Sequence, residues 1–276
     1  MSMAWQFAGS HDTMCFGSGS FRLCKKRGAW LWKMGMEAKM VYITGDAHGN
    51  FGDIEKFCRK AKTKKSDVIV ILGDAGINYH GEDFPYDGGD KMLKGKLGEL
   101  PVTLFCVHGN HEMRPYLIPS YKEIPWYSGG VYIGVVYKEF AYPNLIFAKC
   151  GEVYNLGGYR CIVIGGAFSV VSLKKFRDEQ PTDEIKSRVE KSLERHDWNI
   201  DIVFSHTCPY SHIPRERFLP GIKQWTVDNG TEKWLDGIER KLAYTRWYCG
   251  HFHTDKADGK IRFVFTDILE VTKNPD

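Results

Sequence analysis

Residues 102–112 read VTLFCVHGNHE, an apolar run that stops at Val107, passes through His108 and opens into the polar tetrapeptide Gly109-Asn110-His111-Glu112. The run has the length and β-branched character of a buried strand, and the glycine after it lets the backbone turn tightly. In α/β sheets, ligands gather beyond the carboxyl ends of strands, where loops bring side chains together. The same pattern repeats outward from this stretch. Residues 40–44 (MVYIT) lead to Asp46 and His48, and residues 68–72 (VIVIL) lead to Gly73-Asp74. Residues 202–204 precede Ser205-His206, and residues 247–249 precede Gly250-His251-Phe252-His253. Residues 161–164 and 261–265 are further candidate strands.

Polar segments at 53–62, 91–98, 183–196 and 231–242 alternate with these runs and suit helices. The third is the clearest. Thr182 can cap its first amides, Asp183 and Glu184 suit the positive helix start, and Ile185, Val189 and Leu193 form one apolar stripe. Strand-helix alternation early, with more strand-rich sequence later, predicts a layered α/β/β/α sandwich.

The chain has 276 residues, 43% hydrophobic and 26% charged, enough to bury a sizeable core. Its formal charge of +4 is confined to residues 1–39, so the remainder is neutral overall. A nucleic-acid-binding body would carry a basic excess of its own. Residues 1–39 have no helical or strand period and are expected to be an N-terminal extension, non-native or flexible, before a domain spanning 40–276. Eight cysteines without a CxxC pair predict free thiols in a reducing compartment. With no apolar stretch of roughly 18 residues and no secretory signal pattern, a cytoplasmic location without a membrane partner is expected. The segments 80–90 and 211–229, rich in Gly, Pro, Asp or aromatic residues, read as loops beside the site.

Carboxylate, imidazole and amide are the ligand types that hold Mn, Fe or Zn, and a metal pair is a common device for phosphate-ester hydrolysis. Singly, each cluster is ambiguous. Asp46 with His48 reads as a ligand pair or as turn and cap residues, and Asp74 as a bridging or a turn carboxylate. Asn110 can offer a carbonyl oxygen and His111 a proton, while Glu112 can orient His111 or stabilise a turn. His206 reads as a ligand or a core histidine, and His251 with His253 as imidazoles for adjacent ions. Five such signals at successive strand ends are much harder to obtain by chance than one.

In that order the motifs D-x-H, G-D, G-N-H-E, a lone H and G-H-x-H resemble the calcineurin-like metallophosphoesterases, from about Met40 to Phe265. The resemblance implies two mixed β-sheets flanked by helices and a site for two divalent or trivalent metal ions, Mn or Fe before Zn. By similarity, Asp46, His48 and His253 hold the first ion, and Asn110, His206 and His251 the second. Asp74 bridges them. The implied activity is hydrolysis of a phosphate mono- or diester by a metal-bridging hydroxide, with His111 as the unligated proton donor. The sequence departs from the Ser/Thr protein phosphatases of that family, where an Asp-Arg-Gly follows the bridging Asp; here the chain reads Gly73-Asp74-Ala75-Gly76-Ile77-Asn78-Tyr79 and lacks that arginine. Arg114 is a candidate replacement for the missing charge, binding substrate with Asn110 and His111, or else a surface ion-pair residue. Two competing readings are a silent scaffold of the same fold and a nuclease-like phosphodiesterase, which calls for a basic groove.

Overall fold

The computed structural model describes residues 40–79, 88–170 and 178–272. Residues 1–39, and with them the expected N-terminal extension, lie outside the described residues, as do residues 80–87 of the expected 80–90 loop.

The first half of the chain forms β1 (Val41–Thr44), α1 (Gly52–Ala61), β2 (Val68–Ile71), α2 (Gly88–Gly98) and β3 (Thr103–Cys106). There follow β4 (Lys122–Ser128), β5 (Val131–Lys138) and β6 (Leu145–Ala148). The second half forms β7 (Val153–Leu156), β8 (Tyr159–Ile164), α3 (Asp183–Arg195), β9 (Ile202–Ser205) and α4 (Gly230–Glu239). It closes with β10 (Arg246–Cys249), β11 (Lys256–Asp258), β12 (Ile261–Phe263) and β13 (Leu269–Glu270).

These strands make two mixed sheets. One runs β13-β1-β2-β3-β6-β5-β4 and the other β11-β12-β10-β9-β8-β7. In each, a parallel centre (β1, β2, β3 and β6; β8, β9, β10 and β12) is flanked by antiparallel edges. The alternation within β2 shows how the layers form. Val68, Val70 and Leu72 face an inter-sheet core with Phe105, Val163 and Phe204, whereas Ile69 and Ile71 face an outer core with Ile54 and Cys58 of α1. On the far side, Ile162 and Val203 pack with Val189 and Leu193 of α3 and Leu235 and Ile238 of α4. The result is the four-layer α/β/β/α sandwich, with strands buried on both faces as parallel sheets require.

The cap expected for α3 forms: Thr182 Oγ1 accepts from the Ile185 amide at 3.4 Å. All seven expected strands form; of the six additional ones, β6 joins the parallel centre and β4, β5, β7, β11 and β13 lie toward the sheet edges. The largest addition is the β4-β5 hairpin. Its turn falls on Gly129 (φ 59°) and Gly130 (φ 77°), left-handed positions that glycine adopts without cost. Pro125 is accommodated because β4 is the last strand of its sheet. Among the described residues no helix is long and apolar enough to cross a membrane.

Candidate metal centre

Each polar cluster sits just past a central parallel strand: Asp46 and His48 after β1, Asp74 after β2, Asn110 and His111 after β3, His206 after β9, and His251 and His253 after β10. The two sheets therefore supply opposite halves of one site. The backbone there is strained. Of the eight described non-glycine residues with positive φ, four are His48 (46°), Asp74 (45°), His251 (67°) and His253 (46°). Such conformations cost about 1–3 kcal/mol each and persist where surrounding structure enforces them. The enforcement includes two close approaches only glycine permits. A Cβ on Gly109 would lie 1.9 Å from Asp74 Oδ1, and one on Gly73 would lie 2.2 Å from His206 Nδ1.

The side chains converge. Nε2 of His48 and Nε2 of His253 are 3.0 Å apart, and Asp46 Oδ2 lies 3.3 Å from His253 Nε2 and 4.0 Å from His48 Nε2. His206 Nε2 lies 2.8 Å from Asn110 Oδ1 and 3.6 Å from Asp74 Oδ2. Ring centroids of His206 and His251 are 5.0 Å apart. Two cation-compatible groups result, Asp46-His48-His253 and Asp46-Asp74-His206. Asp46 is common to both, although the resemblance gave the shared role to Asp74. The carboxylates are oriented by backbone amides: Asp46 Oδ1 accepts from His251 N at 3.0 Å, and Asp74 Oδ1 from His111 N at 2.7 Å.

One contact tests whether cations fit. Nδ1 of His206 is 2.7 Å from the Leu72 carbonyl, which can only accept, so Nδ1 carries a proton and, in the neutral imidazole, Nε2 presents a lone pair. That lone pair faces the carbonyl oxygen of Asn110, another acceptor, while Asn110 Nδ2 is buried without a partner. Beside a neutral His206, hydrogen bonding alone would turn the amide around, whereas a cation between two lone pairs calls for this orientation. Asp46 Oδ2 is likewise buried, facing His253 Nε2 at 3.3 Å and His48 Nε2 at 4.0 Å. Ligand atoms about 2.1 Å from one ion and at right angles to each other lie about 3 Å apart, as the facing nitrogens of His48 and His253 do.

Titration favours the ligand-ready forms of His251, His48 and Asp46 and the protonated form of His253. Burial, and then the neighbouring His206, pushes His251 down to about 3, so its imidazole is neutral at physiological pH. Burial lowers His48 as well. Burial opposes ionisation of Asp46, but hydrogen bonding with His253 and the adjacent histidines outweigh it and hold the carboxyl low. Bonding to Asp46 raises His253 in turn. Glu112 accepts from Gly109 N at 3.0 Å and from Gly76 N at 3.3 Å, tying together the loops after β2 and β3. Burial, and then Asp74, raises its carboxyl to about 8.

A cleft of about 280 Å³ opens over this floor, with His48, Asp74, Asn110, His111, His251 and His253 exposed to it. Its wall comes largely from the expected 211–229 loop, including Ile213, Phe218 and Leu219, and is completed by Phe168, Phe252 and Glu232. Arg114 does not reach the cleft. Its guanidinium is buried and donates to the Asp178 carbonyl at 2.9 and 2.6 Å and to the Glu179 carbonyl at 2.7 Å. It is thus neither a surface ion-pair residue nor a cleft group. Among the described residues Arg217 is the arginine that borders the cleft, held through its donation to the His253 carbonyl at 2.8 Å. Its position in a loop expected beside the site was the only signal for it. His108 stacks on Phe147 at 5.8 Å, His212 pairs with Asp258 at 2.8 Å, and Cys208 and Cys249 are fully buried.

Two mixed sheets packed face to face, with polar loops from both converging on one cation-compatible floor, define a metallophosphoesterase fold. Residues 39–255 match the calcineurin-like phosphoesterase family, and the chain belongs to it. The lariat debranching enzyme of Schizosaccharomyces pombe is 27% identical over a match covering 61% of this chain and 36% of that protein. The chain therefore spans little more than a third of that relative's length. Among solved structures, TT1561 of Thermus thermophilus aligns at 12% identity with a TM-score of 0.41, covering 86% of this chain and 100% of that one. Another aligns at 15% identity and a TM-score of 0.45, covering 82% and 89%.

Proposed function

We propose that the chain hydrolyses phosphate esters with two metal ions, one held by Asp46, His48 and His253 and the other by Asn110, His206 and His251, with Asp74 between them. The observation that carries this reading is the approach of His206 Nε2 to the Asn110 carbonyl oxygen at 2.8 Å, with the Asn110 amide nitrogen buried and unpartnered. Four imidazoles among seven donors favour Mn, Fe or Zn over Mg or Ca. When bound, such ions lower the pKa of water and neutralise charge on phosphoryl oxygens.

The protein's own groups do the rest. His111 borders the cleft, its ring 6.0 Å from that of His48 and its amide tied to Asp74, and it protonates the departing alkoxide. Arg217 adds positive charge at the rim, taking the part first assigned to Arg114. The apolar wall excludes water from the leaving group, which strengthens each electrostatic contact beneath it.

The test is hydrolysis of 4-nitrophenyl phosphate and bis(4-nitrophenyl) phosphate by metal-free protein resupplied with Mn, Fe, Zn or Mg. Turnover restored by Mn, Fe or Zn is expected. A protein that binds these metals yet turns over neither ester would favour the scaffold reading. The likeness to a lariat debranching enzyme supports including the diester arm.

A further inference from the structure

The wall of the cleft contains one group that neither the fold nor the metal floor explains. Glu232 occupies the first turn of α4, where Asn229 and Glu232 have the spacing of a reciprocal capping pair. That pair does not form. The Asn229 side chain makes no cap bond, and the one amide of this turn bonded by a nearby side chain is that of Gly230, to Asp228 Oδ1 at 2.8 Å. Glu232 lines the cleft. It is only 4% exposed, and burial raises its carboxyl against the lowering effect of Thr207.

Its two oxygens differ. Oε1 accepts from Thr207 Oγ1 at 2.8 Å, whereas Oε2 is buried with no hydrogen-bond partner. A buried acceptor left unmatched is unfavourable, and a matching donor on a bound molecule removes the penalty. The surrounding wall does not provide one: Phe168, Ile213, Phe218, Val227 and Phe252 are apolar, and the Arg217, Gln224 and Asn229 side chains donate to the His253, Ile222 and Val227 carbonyls. Thr207 directly follows His206, so the hydrogen bond ties Glu232 to the strand end that carries a floor residue, and Glu232 opens on the same cleft as the floor. A cavity of about 150 Å³ accommodates a benzene ring; the cleft, at about 280 Å³, has room for a ring beside the phosphoryl group.

We infer that Glu232 and the apolar wall form a subsite for the alcohol portion of the ester, selecting a ring-sized apolar group that carries an N–H or O–H donor. Oε2 of Glu232 accepts that donor. Glu232 is thus a specificity-determining residue, and the substrate class is a phosphate ester of an aromatic or similarly flat alcohol with a donor on its edge. The subsite deepens the phosphoesterase reading and rests on it for its catalytic readout.

The experiment compares esters of equal shape: 3- and 4-aminophenyl phosphate against 3- and 4-methylphenyl phosphate, with the Mn-loaded protein. Wild type should favour the amino member of at least one pair by about tenfold in kcat/KM, the worth of one hydrogen bond to a carboxyl group. Glu232→Leu should collapse that ratio. Glu232→Gln, whose outward amide donates once its oxygen takes the Thr207 hydroxyl, should also lose the preference and guards against a folding defect in the leucine variant. Equal losses on both members of a pair would overturn the inference and leave Glu232 as a support for Thr207 and His206. In parallel, calorimetry follows the 3- and 4-aminobenzylphosphonates and their methyl counterparts, which cannot be hydrolysed. Preference for an amino phosphonate without turnover of any ester would sink the phosphoesterase reading alone. Failure of wild type to discriminate among the phosphonates would sink the subsite.

Discussion

The floor and the wall of the cleft are built by opposite means. The floor hangs from the ends of β1, β2, β3, β9 and β10, strands buried on both faces, and its side chains are aimed by main-chain groups such as the His251 and His111 amides and the Leu72 carbonyl. Most of the wall comes from residues 211–229, where only short helical turns such as Arg215–Arg217 and Gln224–Thr226 interrupt irregular backbone. Rigid strand ends can hold strained, closely spaced ligand atoms; an irregular loop can vary what lies over them. Chemistry and selectivity are thereby assigned to separate parts of the molecule.

The comparison breaks most readily at the floor. Asp74→Asn should drop bound metal and bring turnover below detection, as metal analysis beside an ester assay would register. Retained metal and rate would show that Asp74 is not part of the centre. His111→Ala sharpens the point by separating chemistry from metal holding. It should keep its metal and lose about 10²-fold or more in kcat, the usual contribution of a general acid. An active variant would hand the proton to another group.

At the wall the effects should be smaller and fall on binding. Arg217→Ala should raise KM about fivefold with kcat nearly unchanged, because an exposed charge is worth roughly 1 kcal/mol. A fall in kcat instead would move Arg217 into the floor.

The smallest effect concerns stability. Burial raises the Glu232 carboxyl above its ordinary 4.5, so the folded protein keeps this proton to higher pH than the unfolded chain does. The resulting contribution is present below 4.5 and is lost as pH rises through the raised value. Glu232→Gln should therefore raise the thermal midpoint at about pH 8 relative to wild type and leave it little changed at about pH 4. The opposite order would mean that the folded state stabilises the ionised carboxylate.

The same division governs what could be read from the sequence. Floor residues announce themselves locally: a β-branched run, then Asp46, Asp74, Asn110 or His251 within a few positions, because strand and ligand are adjacent in the chain. The α3 stripe and its Thr182 cap are local as well. Arg217 and Glu232 carry no such signal. One reaches the cleft through a bond to the His253 carbonyl 36 residues away, the other through Thr207, 25 residues away. Arg114 misled for the same reason, since its partners at Asp178 and Glu179 lie 64 and 65 residues further on. The β4-β5 hairpin went unread because Pro125 and the charges of Lys122 and Glu123 mask its alternation, although Gly129-Gly130 is a hairpin turn signal.

The Thr207–Glu232 hydrogen bond has a consequence for the chain's entropy. It fastens together the two ends of the segment that forms most of the wall, so the intervening residues leave and re-enter the sandwich at one place. For a loop whose ends are already held, doubling its length costs only about 0.6 kcal/mol in closure entropy. Between the anchors at Cys208, Ile213 and Arg217, the segment from Thr207 to Glu232 can therefore differ in length and composition while the strands beneath keep their register.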